Sequence, residues 1–192
     1  MTDPDLRLAR NARRGDRQAL EALYDRHRSP LYGFLLRLSD DAVAAEDLFQ
    51  DVWVKVMRGI ERFDPERGSF RSWLFRVAAN ASADRWRRAA VRWGPELDAP
   101  SADPPERVVD RIPAVGPDPE RASAAREAAR ALSASLARLP AKRRAAVLLR
   151  HQQGLSYAEI ATALKVPEGT AKTMVHRAVT SLRRRLAEWS DE

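Results

Sequence analysis

The chain has 192 residues, 44% of them hydrophobic, which supplies small packed cores and excludes a disordered polymer. Lys and Arg number 34 against 27 for Asp and Glu, a formal net charge of +7 that favours polyanionic partners such as DNA. With no cysteine and only His27, His151 and His176 scattered along the chain, disulfides and thiolate metal sites are excluded, and neither a metal nor a cofactor is expected.

The opening residues hold no apolar leader, and no stretch approaches the roughly 20 apolar residues of a membrane helix. A cytoplasmic protein with no membrane insertion is the expectation. Apolar residues recur at spacings of three and four, with no sustained period of two. The sequence therefore predicts an all-α fold of two small helical domains joined by a flexible linker.

In chain order, Leu20, Leu23 and Tyr24 line a first short helix. Ser29-Pro30 reads as a cap followed by a first-turn proline, opening a second helix through Leu31, Phe34, Leu35 and Leu38. From Asp41 to Ile60 a longer helix carries Ala45, Leu48, Val52, Val56 and Ile60 inward and Glu46, Asp47, Gln50, Asp51, Lys55 and Arg58 outward. Trp53, Val54 and Met57 widen its apolar surface, and for Trp53 a partner-binding patch and core packing stand as equal readings.

FDPERGS, residues 63–69, forms a loop through Pro65 and Gly68, and Ser69 caps the helix that begins at Phe70. That helix sets Phe70, Trp73, Leu74, Val77, Ala78 and Ala81 on one core face and finishes in RWRR, with Arg85, Arg87 and Arg88 toward solvent. Cations at a helix C-terminus suit the macrodipole, which is the plainer account of the cluster. The sharper one is that Trp86 and Trp93, interleaved with Arg85, Arg87, Arg88 and Arg92, offer stacking faces and phosphate contacts to unpaired bases.

Seven of the 12 prolines fall between Arg92 and Glu120, where the helical period is lost. Residues 1–91 carry 17 basic and 14 acidic side chains, 92–120 carry 3 and 7, and 121–192 carry 14 and 6. An acidic linker between two basic modules is read as solvation, with a nucleic-acid decoy as the alternative.

Beyond it, residues 120–138 form a helix with Leu132, Leu136 and Leu139 on one stripe, stopped by Pro140. Lys142 to Gln153 form the next, with Val147, Leu148 and Leu149 buried, Lys142, Arg143, Arg144 and Arg150 exposed, and Gly154 as the cap. Ser156 to Glu159 reads as a capping box opening a third helix, with Ile160, Ala161 and Leu164 inward.

After KVPEG, a last helix from about Glu168 to Ala187 buries Ala171, Val175, Ala178, Leu182 and Leu186 and exposes Thr170, Lys172, Thr173, His176 and Arg177. The pair is a helix-turn-helix. Its second helix suits the major groove, with Thr170, Lys172, Thr173 and His176 placed to read bases. Arg183, Arg184 and Arg185 are phosphate candidates or a solvated helix end.

AEDLFQDVWVKVMRGIERF and GSFRSWLFRVAANASADRWRR resemble region 2 of bacterial extracytoplasmic-function (ECF) sigma factors, and LPAKRRAAVLLRHQQGLSYAEIATALKVPEGTAKTMVHRAVTSLRRRL is similar to region 4. The resemblance implies region 2 over 1–91, a Pro-rich acidic linker over 92–120 and region 4 over 121–192. It implies docking of Asp47, Gln50, Asp51, Val54 and Lys55 on the clamp helices of the largest subunit of core RNA polymerase.

It further implies capture of a flipped minus-ten base by Phe63, Asp64, Arg67, Ser69 and Asn80, with Arg76, Arg87 and Arg88 near the backbone. Minus-thirty-five reading would fall to Glu168, Thr170, Lys172, Thr173, His176, Arg177, Arg183 and Arg184, beside a contact with the polymerase flap. An anti-sigma factor is the expected regulator. Two departures stand out: Pro167 replaces a common capping Ser, and Met174 an Arg.

A helix-turn-helix alone would equally suit an ordinary repressor; the region 2 segments decide against that. An enzyme would need an activated nucleophile, and Ser29, Tyr24 and Tyr32 sit in ordinary helical contexts, so none is expected.

Overall fold

The computed structural model describes residues 4–39, 41–93 and 119–190, and every regular element among them is helical. The first half comprises α1 (Pro4–Arg13), α2 (Arg17–Leu38), α3 (Ala42–Gly59), 3-10 turns at Ile60–Arg62 and Pro65–Arg67, and α4 (Phe70–Trp93). The second comprises α5 (Pro119–Ala137), α6 (Ala141–His151), α7 (Tyr157–Leu164) and α8 (Glu168–Ser190).

Short polar side chains start these helices by satisfying amides that lack an intrahelical partner. Asp16 accepts from the Ala19 amide at 3.1 Å, Asp41 from Ala44 at 2.6 Å and the Ser69 hydroxyl from Ser72 at 3.1 Å. The Ser156–Glu159 capping box is complete in both directions.

One expected break is absent. Residues 17–38 form a single helix with Pro30 inside it, rather than two helices meeting at Ser29-Pro30. Proline costs one backbone hydrogen bond in a helix interior. Leu23, His27, Leu31 and Phe34 form a continuous buried stripe across that point, and their burial outweighs the missing bond.

Helix α4 is the centre of the molecule. Its expected core face is present, with Phe70, Leu74, Ala78 and Ala81 buried and Trp73 and Val77 packed at the edge. Phe75, Ala79, Ser82 and Ala83 are buried as well, because α4 packs against α1, α2 and α3 and also against α6 and α7 of the second half. A helix wrapped by neighbours loses the one-sided polarity of a surface helix.

Phe75 meets Phe34 edge-on, with ring centroids 5.2 Å apart. On α2, the buried His27 pairs with Asp5 at 2.7 Å, and Arg26 reaches the same carboxylate at 2.9 Å, so α1 is tied down.

In the second half, Leu136, Leu139, Ala145, Leu149, Leu155, Ile160, Leu164, Ala171, Val175 and Leu182 fill the core. Arg144 departs from the expected exposed row on α6. It is 4% exposed and donates to the Ala137 carbonyl at 3.3 Å, closing the α5–α6 corner. Lys142 stays in solvent, while Arg150 lies over the Tyr157 ring at 4.7 Å and donates to the Leu155 carbonyl.

Candidate nucleic-acid and partner interfaces

Three surfaces stand out, and each follows from helical spacing. On α3, Asp47, Gln50, Asp51, Val54 and Lys55 recur every three to four residues and all face solvent, with Met57 (52% exposed) beside them. Asp47 reaches Arg85 of α4 at 3.7 Å, an exposed pair of little energetic weight that lines the ridge against α4. Trp53 belongs to the core: it is 6% exposed and packs on Tyr24 with centroids 4.8 Å apart.

The second surface is the loop before α4 and the helix itself. The Asp64 carboxylate accepts from the Glu66 amide at 3.0 Å and so shapes the turn, and Gly68 adopts φ +134°, a conformation a side chain would strain. Arg88 is exposed, while Ser69, Arg76 and Asn80 are half-buried. Asn80 Oδ1 has no hydrogen-bond partner among the described residues. The side chains of Arg67, Trp86, Arg87, Arg92 and Trp93 lie outside the described residues, as does most of the linker.

Phe63 corrects the sequence-based expectation. It is 1% exposed, with its ring 5.9 Å from Phe70 and 5.6 Å from Trp73, so in this structure its side chain is a core plug beneath the loop rather than a solvent-facing group. The burial of a large ring at the α3–α4 junction is worth more than a solvent-facing position.

The third surface is the helix-turn-helix. Lys165, at φ +54°, closes α7, and the Pro167 carbonyl accepts from the Ala171 amide at 3.0 Å, starting α8 without a capping side chain. Glu168, Thr170, Lys172, Thr173, His176 and Arg177 all face solvent along the first turns of α8, opposite buried Ala171, Val175 and Ala178. The Thr173 hydroxyl folds back to the Gly169 carbonyl at 2.9 Å. Arg183 and Arg184 are exposed farther along, whereas Arg185 is half-buried.

Behind this face, Leu132, Leu136, Val147, Leu148, Val179, Leu182 and Leu186 line an apolar groove of about 440 Å³, rimmed by His151, Arg183 and Arg37 of α2. Burial pushes the Arg37 guanidinium below its ordinary pKa. No helix among the described residues is long and apolar enough to cross a membrane.

Two family profiles match the chain, one in each half. A Sigma-70 region 2 profile matches residues 23–92, and a Sigma-70 region 4 profile matches 129–182. ECF RNA polymerase sigma factor SigW of Bacillus subtilis is 30% identical over 180 residues, covering 93% of this chain and 95% of the relative. The chain belongs to the ECF RNA polymerase sigma factors.

SigE of Mycolicibacterium smegmatis is 35% identical over 181 residues, covering 93% of this chain and 66% of the relative. The solved structure of CnrH in complex with the cytosolic domain of CnrY superposes with a TM-score of 0.64 at 25% identity, covering 97% of this chain and 99% of that one. Membership carries promoter-directed initiation of transcription by RNA polymerase.

Several residues of this sigma factor make contacts that its sequence did not single out. Arg71 of α4 donates to the Gln153 side chain at 3.1 Å and the Gln152 carbonyl at 3.4 Å, and Glu159 of α7 faces Ser72 and Arg76. The partners lie about 80 residues apart, and no local spacing signals such a pair.

Proposed function

We propose that this sigma factor divides its work as 1–91 for polymerase docking and the minus-ten element, 92–120 as linker, and 121–192 for the minus-thirty-five element. The α3 ridge of Asp47, Gln50, Asp51, Val54 and Lys55 docks on the clamp helices of the largest polymerase subunit. Its exposure on a face that the protein's own core does not use is the observation that carries this reading.

Asp64, Arg67, Ser69, Arg76, Asn80, Arg87 and Arg88 serve the minus-ten strand, with Phe63 holding the loop from beneath. Glu168, Thr170, Lys172, Thr173, His176 and Arg177 read the minus-thirty-five groove, and Arg183 and Arg184 hold phosphates. The chain acts in the cytoplasm as a non-catalytic regulator. An anti-sigma factor controls it; support comes from the similarly folded sigma factor RpoE of Bartonella quintana, solved in complex with the anti-sigma factor NepR.

The deciding experiment is core-polymerase binding followed by run-off transcription. Asp47→Lys with Asp51→Lys is expected to weaken core binding at least tenfold while the thermal midpoint stays within about 2 °C, since exposed charges contribute little to stability. Unchanged core affinity refutes the α3 assignment.

A further inference from the structure

Residues 4–17 form a basic surface that none of the three interfaces above uses. Arg7, Arg10 and Arg13 of α1, Arg14 in the turn after it and Arg17 at the start of α2 are all exposed. Arg7 and Arg10 face away from buried Ala9 and Ala12, and Arg14 follows one turn on. The two carboxylates of the segment are turned to other work. Asp5 is held by Arg26 at 2.9 Å and His27 at 2.7 Å, and Asp16 caps α2 through the Ala19 amide. None of the five guanidinium groups has an ion-pair partner among the described residues.

Helix electrostatics account for only part of this row. Cations suit a helix C-terminus, and Arg10 and Arg13 stand in the last turn of α1. Arg7 lies in the first half of that helix. Arg17 is the first residue of α2, the end where the macrodipole disfavours a cation, and the first turn of α2 holds no acidic residue to offset it.

The row is also fixed in place. The Asp5 pair ties α1 to α2, and α1 packs on the 3-10 turn Ile60–Arg62, which leads straight into the loop at 63–69. On that turn Glu61 and Arg62 are both exposed. From Arg7 to Arg14 the chain rises about 10 Å, room for about three phosphates of one strand.

We propose that this arginine row is a sequence-independent track for the phosphates of the melted strand as it runs downstream from the minus-ten loop. Guanidinium groups without internal partners donate to phosphate oxygens at no cost in broken ion pairs. Upstream of the minus-ten element the promoter is held by α8, which leaves the downstream strand for α1. The direction of the track rests on the assignment of the loop to the minus-ten strand made above; phosphate binding by the row does not.

The test is holoenzyme reconstituted with the triple variant Arg7→Gln, Arg10→Gln and Arg14→Gln. The probe is fork DNA carrying its promoter, whose minus-ten strand either ends at the element or runs on by about 10 nucleotides, more than the row can cover. Anisotropy across salt concentrations is expected to show the unsubstituted holoenzyme binding the longer strand about tenfold more tightly near 0.1 M salt, with a slope steeper by about 2, at about 0.7 for each single-strand phosphate held. The variant loses that gain but keeps its affinity for the short fork and for core polymerase. Neutral methylphosphonate linkages in the extension reproduce the loss in the unsubstituted protein and change nothing in the variant. Arg7→Gln with Arg14→Gln, which leaves the dipole-favoured Arg10, gives the same pattern at smaller amplitude if the triple variant lowers the thermal midpoint.

Equal gain from the extension in both proteins, equal losses on short and long forks, or no gain in the unsubstituted holoenzyme overturns the track. If Arg88→Ala leaves short-fork affinity unchanged, the minus-ten assignment fails instead, and the comparison of charged with neutral extensions still decides whether the row binds phosphate.

Discussion

Replacing Phe63 with Ala separates a core plug from a base reader, because the two roles predict opposite losses. The ring is fully enclosed between the end of α3 and the start of α4, against Phe70 and Trp73. Truncating such a ring leaves a cavity and costs about 3–5 kcal/mol, of which each aromatic contact supplies about 0.5–1.5 kcal/mol. For a chain of this length each kcal/mol moves the thermal midpoint by roughly 2–4 °C, so a drop on the order of 10 °C is expected. Phe63→Leu, which refills part of the space, should cost about 1–2 kcal/mol.

Urea titration followed by tryptophan fluorescence is the natural assay, since Trp73 touches the altered ring and reports its own neighbourhood. Run-off transcription at a temperature where both variants remain folded completes it. A Phe63→Ala chain that keeps its urea midpoint but loses promoter opening would refute the burial argument and restore the ring to the DNA surface.

Two further outcomes follow from charge. Glu159 has its folded carboxyl below the reference value of 4.5, so its contribution to stability is complete above that pH and disappears as pH falls through the folded value; Glu159→Gln should flatten the acid side of a stability–pH profile recorded from pH 7 to 3. Neutralising Arg183 and Arg184 should weaken duplex binding at every sequence tested and reduce the salt slope by about 0.9 for each phosphate left without its cation, measured by fluorescence anisotropy across salt concentrations; a change in base preference at constant slope would contradict the phosphate role.

Local signals were readable wherever one short stretch of chain decides the outcome. The capping box at Ser156–Glu159, the cap at Ser69, the inward stripe of α3 and the solvent row of α8 all depend on residues three or four apart, and each is found as the spacing predicts. The outward placement of Asp47, Gln50 and Asp51 is the same kind of inference, since the side of a helix opposite a complete apolar stripe has nowhere to go but solvent.

Position in three dimensions overruled local signals elsewhere. Pro30 is a fair helix opener by its neighbours, yet the stripe on either side of it is buried against a single surface, and the continuous helix wins. Arg144 stands in a row with Lys142 and Arg143 but lies at the inside corner where α5 meets α6. Phe63 sits in a loop motif of polar and turn-forming residues, and its burial depends on Phe70 and Trp73 converging from the next helix.

The amino-acid sequence by itself determined that the chain is helical, where most of its helices begin, which faces are apolar and which motifs mark a sigma factor, because these rest on backbone geometry repeating over a single turn. Only the tertiary structure decided that α4 is enclosed from two sides and that Glu159 meets Ser72 and Arg76. Contacts between residues some 80 positions apart arise from how whole helices pack, and each partner alone looks like an ordinary polar residue on a helix surface.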